Sequence, residues 1–439
     1  MRSIILALIC AIGFSSCANT AKKEEVKPRA ITQSVVYEVN LRQHTNEGTI
    51  NAFRKRLPEL KKLGVDIVWL MPIFPISEKN RKGSLGSYYS VADYRAVSPE
   101  FGTMADFKAL VKEAHSMGMK VILDWVANHT GWDNKLITEH EDWYTHKDGK
   151  IISPVEDWTD TADLNYDNKE MRSYMIESLK FWINEANIDG YRCDMAGMVP
   201  TDFWENARTA LDSIKPVYML AEDSGADLLK NAFHTGYAWE LLHLTEDIVE
   251  GKKNSLDLNT YFAKNDTLYP KGSSLLNFLT NHDENSWSGT VTDRYADYQN
   301  TYAAFMFTIP GMPLIYSGQE VGLNHKLLFF EKDSIDWTKN AEIRSFYTKL
   351  SELKHNNIAL ASGTDAGEMT ILKTDNDNTF VFERNKAENS IIALFNFSKE
   401  TQVVTVDKIT KEYKDFFTNK TCNSKAYVLK SGEFHILTK

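Results

Sequence analysis

Residues 103–125 read TMADFKALVKEAHSMGMKVILDW, and this stretch decides the fold. Thr103 followed by Asp106 is a capping-box pattern, and Phe107, Leu110, Val111 and Ala114 recur behind it at helical spacing. Lys120 to Trp125 then runs almost wholly apolar, as a strand covered on both faces does. Further apolar runs occupy Val35 to Asn40, Asp66 to Met71, Gly190 to Asp194, Val217 to Ala221, Leu275 to Thr280 and Pro313 to Tyr316. An eighth strand is expected near Tyr237 to Glu240. Between them lie helical stripes such as Met171, Met175, Ile176, Leu179 and Ile183, which read as core. Such alternation predicts a parallel sheet closed into a (β/α)8 TIM barrel across residues 31–357.

The rhythm breaks after the third strand. Residues 129–166 are polar, carry Trp132, Trp143, Tyr144 and Trp158, and read as a short insert subdomain. Each of these aromatics either faces a ligand or packs the insert's own core. From about Asn356 the pattern becomes alternating strands with Asn, Asp and Gly turns, predicting an antiparallel β-sandwich over 358–439. That sandwich reads as a stabilising cap, with starch binding as the alternative.

Met1-Arg2-Ser3 precedes an apolar run from Ile4 to Phe14 and then Ser15-Ser16-Cys17. This is a secretion signal, too short for a membrane span, and it resembles the bacterial lipoprotein type over residues 1–17. Cys17 would carry a lipid anchor to the membrane, on the periplasmic or cell-surface side, and polar residues 18–30 would serve as tether. Cleavage by ordinary signal peptidase is the alternative. Two cysteines remain in the body, Cys193 and Cys422, with Cys193 in a strand expected to be buried. No Cys/His cluster has zinc spacing. The net charge of -10 disfavours nucleic acid and suits a neutral polar substrate.

In a parallel barrel the C-terminal strand ends converge on one mouth. Here those ends carry Asp124-Trp-Val-Ala-Asn128-His129, Gly190-Tyr-Arg192-Cys-Asp194, Ala221-Glu222-Asp223 and Asn281-His282-Asp283. Strand alternation places Arg192 and Asp194 on one face, where the guanidinium would hold Asp194 ionised and aimed. Glu222 against an apolar strand end is suited to a raised pKa and proton donation. With Asp283 the set supplies an acid, a nucleophile and a stabiliser, which is what glycosidic-bond hydrolysis requires.

These segments resemble the four signatures of the α-amylase superfamily, glycoside hydrolase family 13. Tyr89-Ser-Val-Ala-Asp93-Tyr94 and Gly311 to Glu320 resemble two further stretches of that family. The resemblance covers about Val35 to Gly322. It implies Asp194 as nucleophile, Glu222 as general acid/base and Asp283 as transition-state stabiliser. It further implies that Arg192 orients the nucleophile, Asp124 supports the site, Tyr89 stacks on the sugar, and His129 and His282 contact its hydroxyls. Asn128 and Asp163 match positions that hold a structural calcium in many relatives; calcium and simple hydrogen bonding both fit two oxygen ligands. The implied substrate is a starch-derived α-glucan or maltooligosaccharide, hydrolysed with retention. A transglycosylase or isomerase would use the same residues, and a non-catalytic glucan-binding protein is the third reading. After Asp194 the chain has Met195-Ala196-Gly197-Met198 where many α-amylases carry a Lys-His pair, so the sequence leaves α-1,4 against α-1,6 specificity open.

Overall fold

The computed structural model describes residues 27–439. The signal, Cys17 and most of the tether lie outside the described residues. Eight parallel strands close a barrel: β1 Val36–Val39, β2 Ile67–Leu70, β3 Lys120–Val126, β4 Gly190–Asp194, β5 Tyr218–Ala221, β6 Thr235–Tyr237, β7 Ser274–Asn277 and β8 Met312–Tyr316. Neighbours follow chain order all round, with β8 pairing back onto β1. The sixth strand ends earlier than the sequence suggests. Thr235–Tyr237 is strand, and the helix Trp239–Glu250 takes Glu240, because three residues complete the short pairing with β7.

Local rules account for several of these elements. Thr103 accepts from the Asp106 backbone N–H, and the Asp106 carboxylate accepts in return from the Thr103 backbone, so the capping box starts the helix Met104–Ser116. That helix buries Phe107, Leu110, Val111 and Ala114 against the barrel. Asn168 caps the helix Lys169–Ala186 one way only, its side-chain oxygen accepting from the Glu170 and Met171 N–H groups. Gly190 opens β4 at φ +148°, where an added Cβ would sit 1.8 Å from the Tyr218 carbonyl oxygen. Only glycine lets β4 and β5 approach so closely.

Register then sets the chemistry. Asp124 on β3 faces Arg192 on β4, and Cys193 on β4 faces Ala221 on β5, so Asp194 and Glu222 follow adjacent positions. In the insert, His129–Gly131 pairs antiparallel with Thr161–Asp163. Beyond the helix Ala341–Asn356 comes a five-stranded antiparallel sheet. Its order is Glu368–Ile371 (β9), Thr379–Lys386 (β10), Asn389–Asn396 (β11), Phe434–Thr438 (β15), Lys414–Asp415 (β13), and a second sheet pairs Gln402–Thr405 (β12) with Ala426–Leu429 (β14). Both body cysteines are buried and free, so neither forms a disulfide. Among the described residues no helix is long and apolar enough to cross a membrane.

Candidate active site

Arg192 is the centre of the barrel mouth. Fully buried, it places Nη1 2.8 Å from Asp124 Oδ1 and 3.0 Å from Asp194 Oδ1. Its Nη2 lies 2.9 Å from Glu222 Oε1 but off the hydrogen-bond direction, and Nε donates to the Tyr237 hydroxyl at 3.3 Å. Asp124 does not reach the cavity. It accepts from Trp69 Nε1 and from the Tyr89 hydroxyl, each at 3.1 Å, and so anchors both. Glu222 is held through Oε2, which accepts from the Met195 backbone N–H at 2.8 Å. Met195 pays for that contact with a left-handed backbone, φ 44° and ψ 45°.

On the opposite side His282 is fully enclosed. Its Nδ1 is 2.5 Å from Glu38 Oε1, while Nε2 is 2.8 Å from the Tyr89 hydroxyl and 3.2 Å from Asp283 Oδ2. The Tyr89 ring stacks on His282 and, on the same tilt, against Phe329. Asp194, Glu222, Asp283, Tyr89, His129 and His282 all line one cavity of about 460 Å³. Its walls are completed by Trp158 from the insert, Lys82 from the segment after β2, and Trp287, Phe329 and Phe330. Another cavity, about 440 Å³ and lined by Thr45, Asn46, His325 and Trp337, contains none of the expected site residues.

The charge balance differs from the sequence reading in one respect. Arg192 was to hold Asp194 ionised, yet burial and the adjacent Glu222 carboxylate push Asp194 well above the usual range, with Arg192 opposing them. The reason is that one guanidinium serves three carboxylates. Burial likewise raises Glu222, which Arg192 pulls down and Asp283 pushes up. Two close carboxylates that both resist ionisation retain a proton between them. Asp194 takes a directed hydrogen bond from Arg192 and Glu222 takes one from the Met195 N–H, so each carboxylate has a donor and the proton is shared by the pair. Burial would depress His282, but Asp283 and Glu38 outweigh it and bring the ring to about 9. Burial lowers His129 to about 4, which keeps that ring neutral.

Asn128 and Asp163 lie beside the cavity rather than in it. The Asn128 carbonyl accepts from the Leu164 N–H, its side-chain amide is 3.4 Å from His129 Nδ1, and burial raises Asp163. Among the described residues no group of three His, Cys, Asp or Glu side chains is arranged to hold a metal. Trp143 stacks on His140 inside the insert, so of its aromatics Trp158 is the one that reaches the cavity. Sequence reasoning missed Glu38, Trp69, Tyr237, Lys82, Trp287, Phe329 and Phe330. Glu38 had a signal, a charge in the apolar run Val36–Val39; the Phe329–Phe330 pair had none.

The profile of the alpha amylase catalytic domain matches residues 37–358, which takes in every strand of the barrel and every carboxylate of the mouth. The chain belongs to the α-amylase family. Among solved structures, an alpha-amylase from Lactobacillus plantarum superposes with a TM-score of 0.85 at 29% identity, covering 93% of this α-amylase-family chain and 99% of that one. The maltogenic alpha-amylase AmyB of Thermotoga neapolitana gives 0.82 at 29%, covering 93% and 97%. Among curated relatives, the intracellular maltogenic amylase of Bacillus subtilis is 28% identical over 89% of this chain and 70% of its own length. Alpha-amylase MalA of Haloarcula japonica is 24% identical over 91% of this chain; the chain spans 62% of that protein's length.

Proposed function

We propose that this α-amylase-family chain hydrolyses α-glucosidic bonds of starch-derived maltooligosaccharides with retention of anomeric configuration. The observation that carries the proposal is Arg192 contacting both Asp194 and Glu222 at the wall of the cavity that Tyr89 and Asp283 also line. In the first step Glu222 protonates the departing glycosidic oxygen while Asp194 attacks the anomeric carbon, giving a covalent glycosyl-enzyme. Glu222, now a carboxylate, then takes a proton from water, and the incoming oxygen displaces Asp194 with a second inversion. Tyr89 would stack on the reacting ring, Asp283, His282 and His129 would hold its hydroxyls, and Asp124 and Arg192 would keep both carboxylates in place. Relatives named maltogenic amylase, cyclomaltodextrinase and neopullulanase support the substrate class. Parallel incubation with maltoheptaose, pullulan, panose and trehalose, with the anomer of the first product read by NMR, tests it. Initial release of the β-anomer, or no release from any of the four, sinks the reading.

Transfer to a sugar hydroxyl is the second reading, favoured by a wall of Trp158, Trp287, Phe329 and Phe330 that would retain a saccharide acceptor. Products longer than the maltoheptaose supplied would identify it. Calcium belongs to the proposal through Asn128 and Asp163, which offer two side-chain oxygens and rely on backbone carbonyls for the remainder. A melting temperature that is the same in calcium and in chelator removes it. The leader sequence supports secretion and a lipid anchor at Cys17; a Cys17→Ser protein that still sediments with membranes removes that part.

A further inference from the structure

Glu38 is fully buried in β1 and lines no part of the substrate cavity. One of its oxygens meets His282 Nδ1 at 2.5 Å, and the other, Oε2, is buried without any hydrogen-bond partner. A carboxylate enclosed in this way is costly unless a cation offsets it, and His282 is the group it touches. The far nitrogen of the same ring faces a second carboxylate, Asp283, at 3.2 Å. The Tyr89 hydroxyl donates its one hydrogen to Asp124, so Nε2 supplies the hydrogen between ring and hydroxyl, and an ionised Glu38 requires the same of Nδ1; burial raises Glu38 and the His282 charge lowers it in return.

We infer that Glu38 is a positioning residue that acts through His282, fixing the ring and keeping both its nitrogens protonated, Nδ1 towards Glu38 itself and Nε2 towards Tyr89 and Asp283. The Tyr89 hydroxyl then accepts from His282 and donates to Asp124, which sets the plane of its ring at the cavity wall. The charged and titratable groups around His282 are Glu38 from β1, Tyr89 from the segment after β2, Asp124 from β3, Arg192 from β4, Glu222 beyond β5 and Asp283 from its own segment; the carboxylates favour its charge and Arg192 opposes it. The value of about 9 for His282 agrees with this arrangement. The link to catalysis rests on the hydrolase reading; the charge state of the ring does not.

The test is an NMR titration of ¹⁵N-histidine-labelled protein, with His282 assigned through a His282→Gln variant. In the wild type the ring is expected to titrate near pH 9, and in Glu38→Gln the midpoint is expected to fall by about 2 pH units towards the ordinary histidine value. Turnover of maltoheptaose by Glu38→Gln should be depressed more at pH 8 than at pH 6. An unchanged midpoint in Glu38→Gln overturns the inference. So does a neutral His282 in the wild type at pH 7.5, a result that needs no variant to fold. Absence of any activity on α-glucans would sink the hydrolase reading and leave the titration result standing.

Discussion

The backbone N–H of Met195 donates to Glu222 at 2.8 Å, so the residue that follows Asp194 in the chain holds the second carboxylate of the site. One peptide group thereby links two side chains that come from separate strands. The left-handed conformation of Met195 costs about 1–2 kcal/mol for a residue with a Cβ. Met195→Gly should keep the N–H contact and change unfolding free energy by less than about 1 kcal/mol, relief of strain offsetting the greater freedom of the unfolded chain. Urea denaturation checks this; a loss of several kcal/mol would mean that the side chain, not the peptide, secures the turn.

Asp194→Asn should reduce turnover of maltoheptaose by on the order of 10⁴-fold. It should not lower the melting temperature, because the ionised form of Asp194 is disfavoured in the folded protein by burial and by Glu222. Calorimetry and initial rates on the same preparation decide both points. Retained activity refutes the nucleophile assignment.

On the proposed assignment, Glu222→Gln removes the proton donor and leaves the nucleophile. Activated α-glucosyl substrates, whose leaving groups need no proton, should therefore be attacked far better by this variant than maltooligosaccharides are. Stopped-flow measurement of the first turnover compares the two. Equal loss on both substrates would show that Glu222 has some other role.

Trp287 is about half exposed, lies against Phe329 and Phe330, and lines the same cavity as Asp194 and Glu222. An exposed indole at such a place offers a face to a second sugar ring. Trp287→Ala should lower kcat/KM for maltoheptaose by about tenfold while sparing 4-nitrophenyl α-glucoside, which has no second glucosyl unit. An equal fall on both would contradict a role in holding the chain.

Glu320 is buried, accepts from the Tyr37 hydroxyl at 2.8 Å, and is raised from 4.5 to about 7, first of all by burial. A raised carboxylate means that the folded state binds the proton more tightly than the unfolded one. Its contribution to stability is therefore complete below about pH 4.5 and is lost as pH rises through about 7. Glu320→Gln keeps the neutral shape at every pH. The stability of this variant relative to the wild type should climb between pH 5 and pH 8 and stay level below pH 4.5; a flat difference throughout would refute the direction.

The barrel was legible because its strands are buried on both faces, and continuous apolar runs such as Lys120–Val126 carry that fact openly. The four carboxylate segments were legible because each closes such a run. Thr235–Tyr237 was hard to place, since a three-residue strand leaves almost no pattern and the aromatic Trp239 beyond it belongs to the next helix. The charge balance was not readable either: that Arg192 is divided among Asp124, Asp194 and Glu222 depends on the side-to-side register of β3, β4 and β5. Phe329 and Phe330 come from an irregular segment, where no period announces which side chains turn inward.

The C-terminal sheet shares its interior with the barrel. Phe380, Phe382, Phe395 and Phe397 pack edge-on around Phe305 of the helix Gln299–Thr308, and Arg384 reaches across to the Thr308 carbonyl. Cutting the chain at the boundary would bare an oily surface and leave the Thr308 carbonyl without its guanidinium donor. The two halves should therefore melt as a single cooperative unit, and a shortened gene product lacking the last eighty or so residues should be recovered as aggregate instead of as a smaller working enzyme.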